Sequence, residues 1–381
     1  MSPDLEIVSA GKRAELEDFL DLPFRLYRGN PNWVPPLRSS RMRTLKGKTA
    51  FFEHGEMKLF LAVRGGQPVG RIAAIKNDAH NRRYSDRTGF FGFFECDTED
   101  AEAAVELFRR AERWLKEKGM DTARGPVNPS MNSECGLLIQ GFDHPPMVLM
   151  PYNPPGYEVF FENAGYGKCR DLYAYLVKAE ALMPESSLHR RLQKIADGLK
   201  RRHPEISVRP LDMKNYTADI INVMNVFEEA RKSNWGYVPV ARREVLETAS
   251  DLKRVVDPEI VLLAEVNGEQ AGVSLALPNV NRGLLKARGR LFPAGYLRFR
   301  REMKKNREVR IFGIAALPKY RHMGIAALLT LETVKRGSAR GYNRGEASWV
   351  LEDNDLSNRT ITHALDPDHY KTYRIYDKKL A

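Results

Sequence analysis

The stretch ALPKYRHMGIAALLTLETVKRG, residues 316–337, decides how this chain is read. It follows the apolar run VRIFGIAAL (309–317), which has strand character, and it opens a segment with helical spacing from about His322 to Ser338. Pro318 keeps the strand from continuing. At the junction Arg321, Gly324 and Ala326 stand in the spacing R-x-x-G-x-A, with His322, Met323 and Ile325 completing the loop. The first amides of a helix have no partner inside it, and the aligned peptide dipoles leave a partial positive charge there. A loop that aims several such N–H groups at one point binds a phosphate or diphosphate. Gly324 removes a Cβ where a ligand must come close, Ala326 stays small, and Arg321 adds a full charge. An ordinary strand–turn–helix with a glycine in its first turn carries the same letters, so the surroundings must decide.

Working outward, ISVRPL (206–211) reads as a strand, Thr217–Arg231 as a helix and IVLLAEVNGEQAGVSLAL (260–277) as a hairpin. EASWVLED (346–353) follows as a further strand. The first half repeats this order: a strand near Glu6–Ser9, a helix through Leu26, the hairpin FLAVRGGQPVGRIAAI (60–75), the strand GFFGFFEC (89–96) and the helix AEAAVELFRRAERWLKEKG (101–119). The repetition is also literal. At a shift of 202, Asn32-Trp33 falls on Asn234-Trp235, Leu61-Ala62 on Leu263-Ala264, and Gly66, Gly70 and Ala74 on Gly268, Gly272 and Ala276. Two of the chain's four tryptophans in register make chance a poor explanation. Between the halves, LHRRLQKIADGLKRR (188–202) places Leu188, Leu192, Ile195 and Leu199 on one stripe, which predicts a helical connector.

The order hairpin, strand, R-x-x-G-x-A, helix, strand resembles the GNAT N-acetyltransferase superfamily, and the whole chain resembles a bacterial group of tandem GNAT-like proteins. The resemblance implies a mixed α/β fold of two GNAT-like halves, each a mostly antiparallel mixed sheet flanked by helices. The expected borders are a GNAT-like domain over 1–180 with a degenerate cofactor loop, a connector over 181–204, and a GNAT domain over 205–381 with the acyl-CoA loop. It also implies acetyl-CoA or another acyl-CoA as cofactor, held by residues 321–326, with the main chain from Ile314 to Ala316 facing the thioester. Transfer to a primary amine by direct attack is the activity expected. A non-catalytic CoA-binding protein is the alternative, and nucleic-acid binding through a basic segment a weaker one.

Acyl transfer passes through an oxyanion that fixed N–H groups stabilise, and the attacking amine must lose a proton to a nearby base. Glu346 and Glu352, of matching parity on the strand after the loop's helix, are the candidate catalytic acids, with Asn354 beside them as a substrate contact. Solvated strand-end charges are the plain alternative. The tyrosine that the family often carries on the next helix is missing from SNRTITHAL (357–365). Tyr370, Tyr373 and Tyr376 come later and read as strand packing residues.

The first half departs from the pattern. After GFFGFFEC it reads DTEDAEAAV, with Asp97, Glu99, Asp100 and Glu102 where a diphosphate would need cations. Its segment 124–157 gathers Asn128, Asn132, Glu134 and Tyr152 among prolines and glycines. This is either an acceptor-binding loop or a covering loop that satisfies its own backbone.

Composition supports an ordinary globular chain: 381 residues, 43% hydrophobic, 29% charged. No apolar run is long enough to span a bilayer, and the acidic start lacks the features of a secretory signal, so a cytoplasmic location is expected. Cys96, Cys135 and Cys169 lie far apart and no HxxxH pair occurs, so neither disulfides nor a metal is expected. The acceptor is expected to be a small-molecule or peptide amine, and the assembly a monomer or homodimer. Of the net charge of +12, Leu284–Arg310 holds ten Lys/Arg against two Glu. That segment reads as a lid for an anionic acceptor, a nucleic-acid contact, an amphipathic patch on anionic lipid, or a solvated helix. No nucleic-acid motif accompanies it.

Overall fold

Hydrophobic alternation and helical periodicity produce strands and helices where the sequence places them. The computed structural model describes residues 4–178, 186–365 and 367–380. In chain order the first half contains β1 (Leu5–Ala10), α1 (Arg13–Leu26), α2 (Arg38–Leu45), β2 (Gly55–Arg64), β3 (Gln67–Asn77), α3 (Asp78–Tyr84), β4 (Thr88–Cys96), α4 (Ala101–Glu117) and β5 (Thr122–Gly125). It continues through β6 (Val127–Asn128), β7 (Glu134–Cys135), β8 (Leu137–Gln140), α5 (Tyr157–Asn163) and β9 (Gly167–Lys178). The second half begins with α6 (Ser187–Arg202), β10 (Ile206–Pro210), α7 (Tyr216–Arg231), α8 (Arg242–Leu252), β11 (Val261–Val266) and β12 (Glu269–Pro278). Then come α9 (Asn281–Ala287), α10 (Gly295–Lys304), β13 (Glu308–Ala316), α11 (Ile325–Ala339), β14 (Arg344–Leu351), α12 (Asp355–Leu365) and β15 (Asp368–Lys379).

These elements form two units that do not follow chain order. One comprises Met1–Leu172, Gly283–Arg301 and Lys371–Ala381, the other Tyr173–Arg282 and Glu302–Tyr370. In the first, β1 to β4 run antiparallel, β5 is parallel to β4, and β15 pairs antiparallel with β5 and β8 from Thr372 onward. In the second, β10 to β13 run antiparallel and β14 is parallel to β13. Each unit is therefore a mostly antiparallel mixed sheet with helices against it.

The internal repeat has a physical basis. Both hairpins turn on two residues of positive φ, Gly65-Gly66 and Asn267-Gly268, the left-handed geometry that matches strand twist. Both then carry a bulge at the matching place, between Ala62 and Val63 and between Ala264 and Glu265. Gly70 and Gly272 let a helix lie directly on the strand. A Cβ on Gly70 would come within 2.7 Å of Leu107, and one on Gly272 within 2.7 Å of Ile325. The expected apolar face of α4, Ala104, Leu107, Phe108, Ala111 and Leu115, is fully buried. In the connector, Leu199 packs with Leu328 and Leu331 of α11 while Ile195 is exposed; the side chains of Leu188 and Leu192 lie outside the described residues. The helix expected from His322 starts at Ile325, because Pro318–Met323 winds as a 3-10 turn and Gly324 takes a left-handed φ of 72°.

The glycine contacts give a stability test. Gly272→Val should destabilise by about 1–3 kcal/mol, since the branched side chain must displace Ile325 or the Ala315 carbonyl. Gly337→Ala, in α11 with nothing within 4 Å of its added carbon, should stabilise by about 0.5–1 kcal/mol. Urea unfolding midpoints of the two variants measure both effects, and they should move in opposite directions.

Candidate active site

In the second unit, β13 and β14 run side by side only from Glu308↔Arg344 to Ile311↔Ala347, then part. On its other side β13 stays paired with β12 as far as Ala316. Successive peptide groups alternate sides along a strand. Main-chain groups between Phe312 and Ala316 are thus left facing a fork, and Ile314 and Ala316 lie on this stretch. A bulge at Phe312 re-aims the strand there, and Ile311–Ile314 is only half-buried. The C-terminal part of α7 forms a wall. Phe227 lies against Gly313, Arg231 stacks over Trp349 at 5.7 Å, and the Ala230 carbonyl accepts a hydrogen bond from Arg321 at 3.3 Å.

Beyond the fork stands the N-terminus of α11. Its first intrahelical bonds run from the Ala327 and Leu328 amides to the Gly324 carbonyl, so the Ile325 and Ala326 amides precede the ladder. Arg321, His322 and Ala326 are exposed, while Met323 and Ile325 are buried and anchor the turn. The sequence reading gave Gly324 to ligand approach. In the structure its Cβ side is filled by Leu199, 2.7 Å from where that carbon would be, and its φ is left-handed, so packing and backbone geometry require the glycine. An exposed helix start at Ala326 beside the exposed Arg321 is the donor chemistry that a diphosphate calls for.

At the closed end of the fork Glu346 is 0% exposed. It accepts hydrogen bonds from the Ser348 hydroxyl on one oxygen and the Tyr370 hydroxyl on the other. Arg310, its neighbour across the parallel ladder, donates from Nε to Ser348 Oγ at 2.9 Å and from a terminal nitrogen to the Ser348 carbonyl at 3.1 Å. Arg310, Ser348 and Tyr370 were not singled out as site residues from sequence. Arg310 was hidden in a basic segment, although its alignment opposite Glu346 is a signal that parallel pairing could have given. Tyr370 belongs to this network, whereas Tyr373 and Tyr376 are core residues. Glu352 lies in the turn after β14, roughly 15–20 Å of strand rise from Glu346. Asn354 is occupied as a helix cap: its Oδ1 accepts from the Ser357 amide at 3.1 Å.

The first unit has the same fork and closes it. β4 and β5 part after Phe90↔Arg124, and Val127-Asn128 fills the gap. Asn128 Oδ1 accepts from the Phe93 amide at 2.6 Å, and any Cβ on Gly92 would overlap the Val127 carbonyl. β4 is buried along its whole length. At the start of α4, where the second unit leaves bare amides, Asp100 accepts from the Ala103 amide at 3.0 Å and pairs with Arg64 at 2.9 Å. A carboxylate of the protein thus occupies the helix N-terminus. Glu134 is held by Arg41 at 2.9 Å and by Asn128, Tyr152 donates to the Phe142 carbonyl at 3.0 Å, and Asn132 is exposed. Asn128, Glu134 and Tyr152 are engaged in the unit's own bonding.

Sequence reasoning also missed Glu95. It is buried with Tyr27 Oη at 2.7 Å, Tyr157 Oη at 3.3 Å and an Arg71 nitrogen at 3.6 Å. Burial outweighs these partners and pushes its carboxyl up to about 7. Tyr27 in turn stacks on Trp33, one of the repeated tryptophans, at 4.9 Å. Among the described residues no cluster of His, Cys, Asp or Glu could hold a metal ion.

Known proteins resemble the chain in sequence and in fold. Residues 232–363 match the Acetyltransferase (GNAT) family. The chain is 37% identical to a bacterial ceramide synthase of Caulobacter vibrioides, covering 99% of this chain and 98% of that one. The chain belongs to the GNAT family. It is also 30% identical to protein YghO of Escherichia coli, over 96% of this chain and 93% of that one. Among solved structures it superposes on a tandem GNAT protein from the clavulanic acid biosynthesis pathway with a TM-score of 0.60, at 12% identity and 99% coverage of both chains. A GCN5-related N-acetyltransferase from Sphaerobacter thermophilus gives 0.53 at 15% identity, covering 100% of this chain and 97% of that one. The two GNAT-like halves and the acyltransferase fold are thereby established, and no helix among the described residues is long and apolar enough to cross a membrane.

Glu95 provides a pH test that leaves the fork aside. Its folded pKa lies above the ordinary carboxylate value of 4.5, so between there and about 7 the folded chain holds a proton that the unfolded chain has lost. The stability it contributes is full below pH 4.5 and falls as pH rises through 7. Glu95→Gln should flatten the profile of unfolding free energy between about pH 5 and 7 by up to about 1.4 kcal/mol per pH unit, as read by urea titration.

Proposed function

We propose that the chain is an acyl-CoA-dependent N-acyltransferase whose working site is the β13/β14 fork of the second unit, with the first unit as a GNAT-like half without a cofactor site. The observation that carries this reading is the contrast between the forks: one is half-buried and ends in bare helix amides, the other is filled by its own Asn128 and Asp100. Bound there, an acyl-CoA would supply an activated acyl thioester. Residues 321–326 would hold its diphosphate through the exposed start of α11 at Ala326 and through Arg321, with Met323 and Ile325 anchoring the loop, and N–H groups along Phe312–Ala316 would receive the carbonyl oxygen.

Glu346 is the base in this reading, ahead of Glu352. It sits at the root of the fork, and Ser348 and Tyr370 are hydroxyls through which a proton reaches it. The amine would lose its proton to this network as its nitrogen forms the amide bond and the carbon–sulfur bond breaks, and in this reading Tyr370, bonded to Glu346, returns a proton to the departing thiolate. For the acceptor and acyl group we go beyond acetyl transfer to small amines. Identity of 37% over nearly the whole chain with a protein described as a ceramide synthase points to a long-chain amino alcohol as amine and a fatty acyl group as donor.

Free thiol release tests this, with acetyl-CoA and long-chain acyl-CoA each offered to small amines and to a long-chain amino alcohol. The long-chain pair should turn over fastest; turnover confined to acetyl-CoA with small amines would remove the lipid assignment and leave the fork. Glu346→Gln should lower kcat by about 10²-fold or more with little change in KM for the acyl-CoA. Glu352→Gln should be near wild type, and an equal loss there would transfer the role of base.

A further inference from the structure

The segment Gly283–Arg301 belongs to the first unit and takes no part in the fork. It holds six cations, Lys286, Arg288, Arg290, Arg298, Arg300 and Arg301, and no Asp or Glu. All six are exposed, and none of them forms an ion pair among the described residues. Between them stand the three most exposed large apolar side chains described: Phe292 at 88%, Leu297 at 69% and Tyr296 at 54%.

This exposure is built into the backbone. The Arg38 amide donates to the Gly289 carbonyl at 3.0 Å, and Gly289 lies so tightly on Phe24 and Pro36 that a Cβ would come within 2.8 Å of the Phe24 ring. The Arg288 amide donates to the Leu284 carbonyl and the Tyr296 amide to the Leu291 carbonyl. On α10 the inward face is taken by Gly295 and Phe299, whose ring abuts Gly283. The remaining face carries Tyr296, Leu297, Arg300 and Arg301, all exposed among the described residues. Exposed apolar area costs about 25 cal/mol per Å², so a held cluster of this kind implies a surface that covers it.

We infer that residues 288–301 form a docking site for an anionic lipid bilayer, with Phe292, Tyr296 and Leu297 entering the headgroup–acyl boundary and the arginines pairing with lipid phosphates. Charge complementarity identifies this occupant. Six unpaired cations without an acid would repel the same face of a second copy; a nucleic acid could stack on Phe292 or Tyr296 but gains nothing from the exposed aliphatic Leu297, whereas a lipid boundary takes all three. Cations near an anionic surface and apolar side chains at the boundary act together, and neither suffices alone. The inference rests on exposure and charge and stands whether or not the acceptor is a lipid.

The test is co-sedimentation of the full chain with vesicles of phosphatidylcholine alone and of phosphatidylcholine with phosphatidylglycerol. Binding should be at least about tenfold tighter to the anionic vesicles and should weaken as salt rises. The double variant Phe292→Ser, Leu297→Ser should lose at least about tenfold of that binding, and Arg298→Glu, Arg300→Glu at least as much, with melting temperature unchanged. Equal binding of the variants and the parent would overturn the inference. So would a failure of the parent to prefer anionic vesicles, a serine variant that shifts the chain from dimer to monomer, or displacement from vesicles by a duplex oligonucleotide at lower concentration than by soluble headgroup. Thiol release from acyl-CoA, read separately, decides the catalytic assignment without reference to vesicles.

Discussion

A pair of parallel strands that parts leaves main-chain N–H and C=O groups with no ladder, and such groups must find other partners. The rest of this molecule follows from how that demand is met. In the first unit the chain meets it itself: Val127 and Asn128 enter the gap, and Gly92 is a glycine because a carbonyl stands where its side chain would be. In the second unit the strand stays half-buried over Ile311–Ile314, where β14 no longer pairs with it. One topology thus gives a sealed core in one place and a half-buried fork in the other, by two residues of filling.

The helix ends beyond the forks obey the same rule. The start of a helix calls for negative charge because its first amides are unsatisfied. Asp100, clamped by Arg64, supplies that charge internally for α4. α11 begins instead with Gly324, Ile325 and Ala326, none of which can cap it, so the demand is passed to whatever anion arrives. Among the acids after β4, Asp100 thus serves as the helix's own cap.

Much of the fold could be read from the letters, for a physical reason. Strand pairing and helix burial are local in pattern, so the hairpins and the stripe from Ala104 to Leu115 appear as spacing, while the bulges in the hairpins do not. The loop at 321–326 was legible because helix ends are chemically distinctive. What spacing could not give was contact between distant segments. Glu346 and Glu352 read alike on one strand, but the structure gathers Arg310, Ser348 and Tyr370 about the first and sets the second in the turn after β14. Glu95 stayed invisible because its partners Tyr27, Arg71 and Tyr157 come from three separate stretches. Gly324 was assigned to ligand approach because Leu199, far back in the chain, could not be placed beside it.

The charge of the chain shows the same limit from another side. A formal excess of +12 says nothing about where unpaired charge lies. The basic segment 284–310 seemed one feature, yet the structure divides it. Arg310 is buried at the root of the fork, bonded to Ser348, and belongs to the Glu346 network of the second unit. The arginines from 288 to 301 stay in solvent around Phe292 and Leu297 and belong to the first. A buried arginine is retained for the hydrogen bonds it makes at fixed points, whereas exposed ones act through the field they share. Adjacent cations in sequence therefore serve separate purposes, and it is burial and pairing, rather than the local charge count, that tells them apart.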